Sequence, residues 1–275
     1  MNCIQEIRAL PDVICLEQIE TLEAYADSVD TYRLRYHSGD CEVEGYLALP
    51  KKVERKLPVI IFNRGGNREF AALKPLFISR YASYGYLCIG SQYRGNCGGT
   101  GREEFGGADV DDVIKLIDIA LQLPFVYGKS VYMVGHSRGG MMTYLACARD
   151  SRIKAAAVGS GLADCFTMYD RFDGKEFDMR QDCTELIGGS PREMPEEYKK
   201  RSAVCWADKI IPPIQIFQGT DDWRVIPGQA YAMDRALTAA GKDHKLVIFE
   251  GADHSLQGTT YIDDVIAWFR AHPMD

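Results

Sequence analysis

The stretch "VYMVGHSRGGMM", residues 131–142, sets a serine between two glycines as Gly135-His136-Ser137-Arg138-Gly139. Its first residues are apolar and read as a short buried strand, and its last residues open a helix, so Ser137 falls at a strand-to-helix reversal. A side chain held at the apex of such a turn strains the backbone. Small residues two before and two after relieve the crowding, and Gly140 lets the following helix approach the sheet. Two roles suit a serine there: a nucleophile raised at the end of a strand, or a hydroxyl capping the helix. The rest of the chain has to decide between them.

Working outward, short apolar runs alternate with helical patterns. "PVIIFN", "YLCIGSQ", "SVYMVG", "IKAAAVGS", "PPIQIFQG" and "KLVIFEG" read as strands. "LKPLFISRYASYG", "DVDDVIKLIDIALQ", "MMTYLACARD", "GQAYAMDRALTAAG" and "YIDDVIAWFRAH" read as the helices between and after them. Continuously apolar strands alternating with helices predict an α/β fold, a mostly parallel twisted sheet covered on both faces. Before it, "TYRLRYHSGDCEVEGYLALP" alternates apolar and polar residues around a turn, which predicts an antiparallel hairpin. "LEQIETLEAYADS" reads as an amphipathic helix, so residues 1–30 are expected to be a helical segment. The alternation fails over residues 161–209, which are polar, aromatic and helix-prone. So long an interruption is expected to be a partial cap over a site at the strand C-termini. The whole, 1–275, is expected to be one domain.

A serine hydroxyl needs a base, and the base needs an acid to orient it. Of the five histidines, His254 in "FEGADHSLQG" follows a strand and precedes the last helix, so it lies at the same sheet edge as Ser137. His37, His136, His244 and His272 have no such placement. "IFQGTDDWRVIPGQ" supplies Asp221 and Asp222 directly after another strand, and either suits the acid; turn chemistry alone also explains an Asp there. An acyl-transfer site further needs N–H donors for an oxyanion. The Arg138 backbone N–H is one candidate, and Gly65 or Gly66, after "PVIIFN", supplies the second. Arg64 and Tyr93 are candidates to line a substrate pocket.

Other signals are weak. "YRGNCGGTGREEFGG" lacks the Lys-Ser/Thr of a phosphate loop, and the acids of "DVDDVIK" need only a helix dipole to explain them. No cluster has metal-ligand spacing, so neither a metal nor a cofactor is expected. A net charge of −7 argues against nucleic acid or an anionic membrane as partner. The N-terminus lacks the pattern of a secretory signal, and nine irregularly spaced cysteines fit reduced thiols, which makes the cytoplasm the expected location. A homodimer is compatible with the N-terminal segment.

"PVIIFNRGGN", "YRGNCGGTG", "GHSRGG", "IGGSPREMPEEYKKRSAVCWADKI", "GTDDWRVIPGQAYAMDRAL" and "FEGADHS" occur in an order that resembles the α/β-hydrolase superfamily, and within it the catalytic domain of the prolyl oligopeptidase family. The likeness runs from about Leu57 to the end of the chain. It implies Ser137 as nucleophile, His254 as base, Asp222 rather than Asp221 as acid through Gly219-x-x-Asp222-x-x-Val225, and Gly66 as the second oxyanion donor. Arg64 departs from the family, which has histidine before the two glycines. About fifty residues precede the likeness, too few for a β-propeller. The resemblance therefore implies an esterase acting on small or medium acyl groups, or a peptidase or amidase with the same machinery, on a small ester or short peptide. A catalytically silent binding protein on the same fold is the third reading.

Overall fold

In the computed structural model the chain is described over residues 3–171 and 179–274. Three antiparallel strands come first, β1 (Val13–Ile19), β2 (Val29–Ser38) and β3 (Cys41–Pro50), flanked by the short helices α1 (Cys3–Arg8) and α2 (Glu23–Ala26). The remaining strands are β4 (Val59–Asn63), β5 (Leu87–Ser91), β6 (Val131–His136), β7 (Ile153–Gly159), β8 (Ile214–Gly219) and β9 (His244–Phe249). They run parallel to one another in a nine-stranded sheet of order β1-β2-β3-β5-β4-β6-β7-β8-β9. The main helices are α3 (Pro75–Ala82), α4 (Asp109–Leu121), α5 (Arg138–Cys147), α9 (Pro227–Ala239) and α10 (Tyr261–Ala271). Between β7 and β8 lie α6 (Cys165–Asp170), α7 (Arg180–Ile187) and α8 (Pro195–Arg201).

The central strands are apolar throughout because both of their faces are covered. In β4, Val59 and Ile61 join α4, α5 and α9 in one buried cluster. Ile60 and Phe62 join α3 and α10 in the other. This is the expected α/β-hydrolase arrangement of a mostly parallel sheet with helices on both faces, and the expected hairpin is β2–β3, closed by a turn at Gly39 and Asp40.

One expectation fails. Residues 1–30 are not a helical segment: "VICLEQI" is β1, paired antiparallel with β2 from Val13↔Tyr36 to Ile19↔Thr31. The spacing of Leu16, Ile19 and Leu22 suits a helix, but the β2 edge offers a ladder of backbone partners, and tertiary pairing overrides so weak a local preference. Part of the expected cap over 161–209 is helical, as α6 to α8; residues 172–178 lie outside the described residues. No helix among the described residues is long and apolar enough to cross a membrane.

Strand order positions the site. From β4 the chain steps outward to β5 and then returns past β4 to β6, so β4 and β6 are neighbours whose following connections run in opposite directions. In open parallel sheets this reversal opens a crevice at the strand C-termini. The "NRGG" loop follows β4 and the "HSRGG" turn ends β6, and both enter that crevice.

Candidate active site

Ser137 adopts φ 59°, ψ −125°, in the left-handed half of backbone space, and its side chain makes no capping bond to α5. Its N–H donates to the Gly159 carbonyl at 3.0 Å, and its own carbonyl accepts from Gly140 N–H at 2.9 Å. The strained peptide is thus held from two sides, as a strained conformation must be. The glycines around it are required by contact rather than by φ. A Cβ on Gly139 would lie 2.0 Å from the Asn63 carbonyl oxygen, so no other residue allows β4 and α5 to approach this closely.

The His254 loop follows β9 and the Asp222 turn follows β8. His254 Nδ1 donates to Asp222 Oδ2 at 2.9 Å. The carboxylate also accepts from Gln218 Nε2 at 3.0 Å and from the backbone N–H groups of Arg224 and Val225, both at 2.9 Å. Burial pushes the Asp222 carboxyl up, but His254 and these donors more than offset it and leave it below its ordinary value. Asp221 is exposed, and its carboxylate meets Thr220 instead. The other histidines are elsewhere or otherwise occupied. His244 faces Asp234, and His272 meets the Trp268 carbonyl. His136 packs edge-on to His254, ring centres 4.9 Å apart, and donates its Nε2–H to the His254 carbonyl at 2.8 Å. Burial and the neighbouring imidazole push His136 down to about 4, so it stays neutral and acts as a fixed donor at neutral pH.

Ser137 and His254 together face a cleft with two lobes. The first, about 500 Å³, is walled by Phe105, Leu162, Met168, Met179 and Val225, with Asn67 and Asp182 among its polar groups. Asn67 is buried and its Nδ2 has no partner. The second lobe, about 620 Å³, lies between α3 and the 254–260 loop with the start of α10, and includes Phe77, Leu256 and Ile262. Gly66 borders both, with φ +65°, and Gly65 packs directly on Ser137.

The two pocket candidates behave differently from expectation. Tyr93 is completely buried and does not line the cleft; its hydroxyl donates to the Arg64 carbonyl at 2.9 Å. Arg64 borders the second lobe, but it is only 1% exposed, and its guanidinium turns inward to backbone carbonyls. The acids of "DVDDVIK" do more than meet a helix dipole. Asp109 pairs with the Arg138 side chain and Asp112 with Arg94. Arg138 also pairs with Glu103 and lies over the Tyr93 and Phe105 rings. Burial pushes its guanidinium down to about 9, still cationic at neutral pH. Sequence reading missed Glu103, Asn67 and the positioning His136. For Asn67 and His136 the available signal was their adjacency to the glycine motifs.

A nine-stranded α/β sheet with a serine raised at a strand end and a His–Asp pair on two neighbouring loops defines a serine hydrolase of the α/β-hydrolase fold. The prolyl oligopeptidase family pattern matches residues 77–272. The chain belongs to that family. The acetyl xylan esterase (AXE1) pattern matches residues 3–111. The chain is 30% identical over 210 residues to the uncharacterized peptidase YtmA of Bacillus subtilis, covering 76% of this chain and 80% of that protein. Two solved structures share the fold. The acylaminoacyl peptidase of Pyrococcus horikoshii superposes with a TM-score of 0.76 at 24% identity, over 90% of this chain and 42% of that one. This chain therefore spans less than half of that peptidase. The acetyl xylan esterase from Paenibacillus sp. R4 superposes with a TM-score of 0.72 at 17% identity, over 99% of this chain and 92% of that one.

Proposed function

We propose that the chain cleaves carboxylic esters of small or medium acyl groups. Ser137 Oγ attacks the carbonyl carbon, and His254 takes its proton and passes it to the leaving oxygen. Asp222 holds the imidazole tautomer, the N–H groups of Arg138 and Gly66 receive the oxyanion, and water releases the acyl group from Ser137. The observation that carries this reading is a strained serine facing the same cleft as an imidazole whose far nitrogen is bound to a buried carboxylate.

The acyl group is assigned to the first lobe, whose wall is Phe105, Leu162, Met168, Met179 and Val225. Among the described residues its two carboxylates are both engaged, Glu69 by Cys97 and Asp182 by Arg68. That pairing weakens the pull of either on a free substrate amine, which favours an uncharged acyl group. Cleavage of peptides or amides is the second reading, supported by the family and by the resemblance to YtmA. Turnover of p-nitrophenyl esters against aminoacyl and prolyl anilides separates the two, and faster anilide turnover defeats the esterase reading.

The direct test of the machinery is fluorophosphonate labelling. Wild type is expected to label and Ser137→Ala to lose both label and ester turnover. A folded wild type that takes no label, or an alanine variant that keeps it, rules out Ser137 as the nucleophile.

A further inference from the structure

We propose that the buried Arg64 side chain is a positioning residue that aims the Gly66 N–H into the oxyanion hole. The inference rests on the hydrolase reading above and concerns how that hole is built.

A trans peptide points its C=O and N–H in opposite directions. The peptide joining Gly65 to Gly66 has its carbonyl on Arg64 Nη1 at 3.0 Å. Its N–H, which belongs to Gly66, therefore faces away from the guanidinium. Gly65 itself packs on Ser137: a Cβ there would lie 3.0 Å from Ser137 Cβ and 3.6 Å from Oγ. Gly66 borders both lobes of the cleft that Ser137 faces. The next peptide is held in the same manner, its Gly66 carbonyl accepting from Arg138 Nη1 at 3.0 Å. Two guanidiniums thus hold two consecutive peptides by their carbonyl ends.

The remaining Arg64 contacts fit a clamp and not a substrate anchor. Nε and Nη2 reach the Gln92 carbonyl at 3.2 and 2.9 Å, Nη1 also reaches Phe70 O at 3.3 Å, and Nη2 reaches Arg68 O at 2.8 Å. Every acceptor is a backbone carbonyl; Gly65, Arg68 and Phe70 lie in the loop after β4, and Gln92 lies just after the neighbouring strand β5. Only a guanidinium offers enough donors in a rigid fan to do this; an ammonium offers three around one point. The Tyr93 ring underlies both Arg64 and Arg138, at 5.1 and 4.7 Å from their guanidinium carbons, which ties the clamp to the turn behind Ser137. Gly66 has positive φ and offers no side chain to hold it, so its peptides keep one orientation only while something else fixes them.

The test compares Arg64→Lys and Arg64→Gln with wild type on a p-nitrophenyl ester. Loss of one oxyanion donor typically lowers kcat by about 10²–10³-fold. Arg64→Gln is expected to lose kcat at the lower end of that range, with Arg64→Lys between it and wild type. KM and the pH profile of kcat/KM should change little, because the Asp222–His254 pair is untouched. Inhibition by a trifluoromethyl ketone, whose adduct carries the oxyanion, should weaken in step with kcat. A folded Arg64→Gln enzyme with wild-type kcat and ketone affinity overturns the proposal. If the variants fail to fold, the crystal structure of the wild-type phosphonate adduct decides. The phosphonyl oxygen on Gly66 N–H with Arg64 still on the Gly65 carbonyl supports the clamp, and Arg64 swung onto the phosphonyl oxygen overturns it. A wild type that neither labels nor turns over ester overturns the hydrolase reading along with this one, whereas an active wild type with an indifferent Arg64 overturns this one alone.

Discussion

The Asp222 carboxylate accepts four hydrogen bonds, from His254 Nδ1, Gln218 Nε2 and the N–H groups of Arg224 and Val225. The three donors other than His254 help keep it ionised and hold it facing the imidazole. Asp222→Asn keeps the shape but presents an amide to His254 and favours the wrong tautomer. It is expected to lower kcat by about 10⁴-fold with little change in KM, as steady-state kinetics on one ester will read. This residue was legible in the sequence because strand, turn and helix signals surround it, although from the residues alone Asp221 stood equal to it. The choice between them came from family spacing, and the reason lies in burial: Asp222 is enclosed and Asp221 faces solvent. Glu103 was not legible. A glutamate in a glycine-rich loop reads as solvated, and only the fold brings it to Arg138, thirty-five positions away.

Among the elements, the segment between β7 and β8 supplies much of the apolar wall of the first lobe. Leu162, Met168 and Met179 face the first lobe, and α6 starts with a sound cap, the Asp164 carboxylate accepting from Phe166 and Thr167 N–H. Methionines fill irregular space and adapt to different occupants. Met168→Trp is expected to fill the lobe, so that kcat/KM for p-nitrophenyl octanoate falls at least tenfold more than for the acetate, about 1.4 kcal/mol of discrimination. Equal losses on both esters would place the acyl chain elsewhere. The existence of this segment was legible as a break in strand–helix alternation. Its inward-facing residues were not, since a helix that packs over a cleft has no partner of fixed period to pattern its sequence. The N-terminal strand shows the opposite failure. Its spacing suggested a helix, and the β-branched Val13 and Ile14 were the signal that pointed to β1 instead.

Across the molecule, backbone strain is collected at one edge of the sheet. Among the described residues, the non-glycine ones with positive φ are Arg68, Ala71, Tyr93, Cys97, Phe105, Ser137, Ser160 and Leu256. All follow the C-terminal ends of β4, β5, β6, β7 or β9. The parallel sheet supplies the stability that holds this edge in shape, and a charge buried there influences the whole fold. His136 titrates at about 4 when folded against an ordinary value of 6.5. Below 6.5 the unfolded chain takes up the proton and the folded chain does not, so stability falls as pH drops from about 6.5 toward 4 and then levels for this group. His136→Asn keeps a donor for the His254 carbonyl without a titrating ring. Urea midpoints measured at pH 7.5 and pH 5 are expected to fall less for the variant than for wild type; an equal fall would show that His136 is not the group responsible.

The order of the strands has a last consequence, for folding. Ser137 stands at the end of β6, inside the sheet, whereas Asp222 and His254 stand after β8 and β9, the final pair, with β9 at the open edge. The elbow and the two arginines behind it are built on β4, β6 and α5, without those two strands. Contacts between elements so distant in sequence form late, after the loops between them have closed. In refolding, ester turnover is therefore expected to return after the bulk of the fold, and on loosening of the β9 edge it is expected to be lost before it.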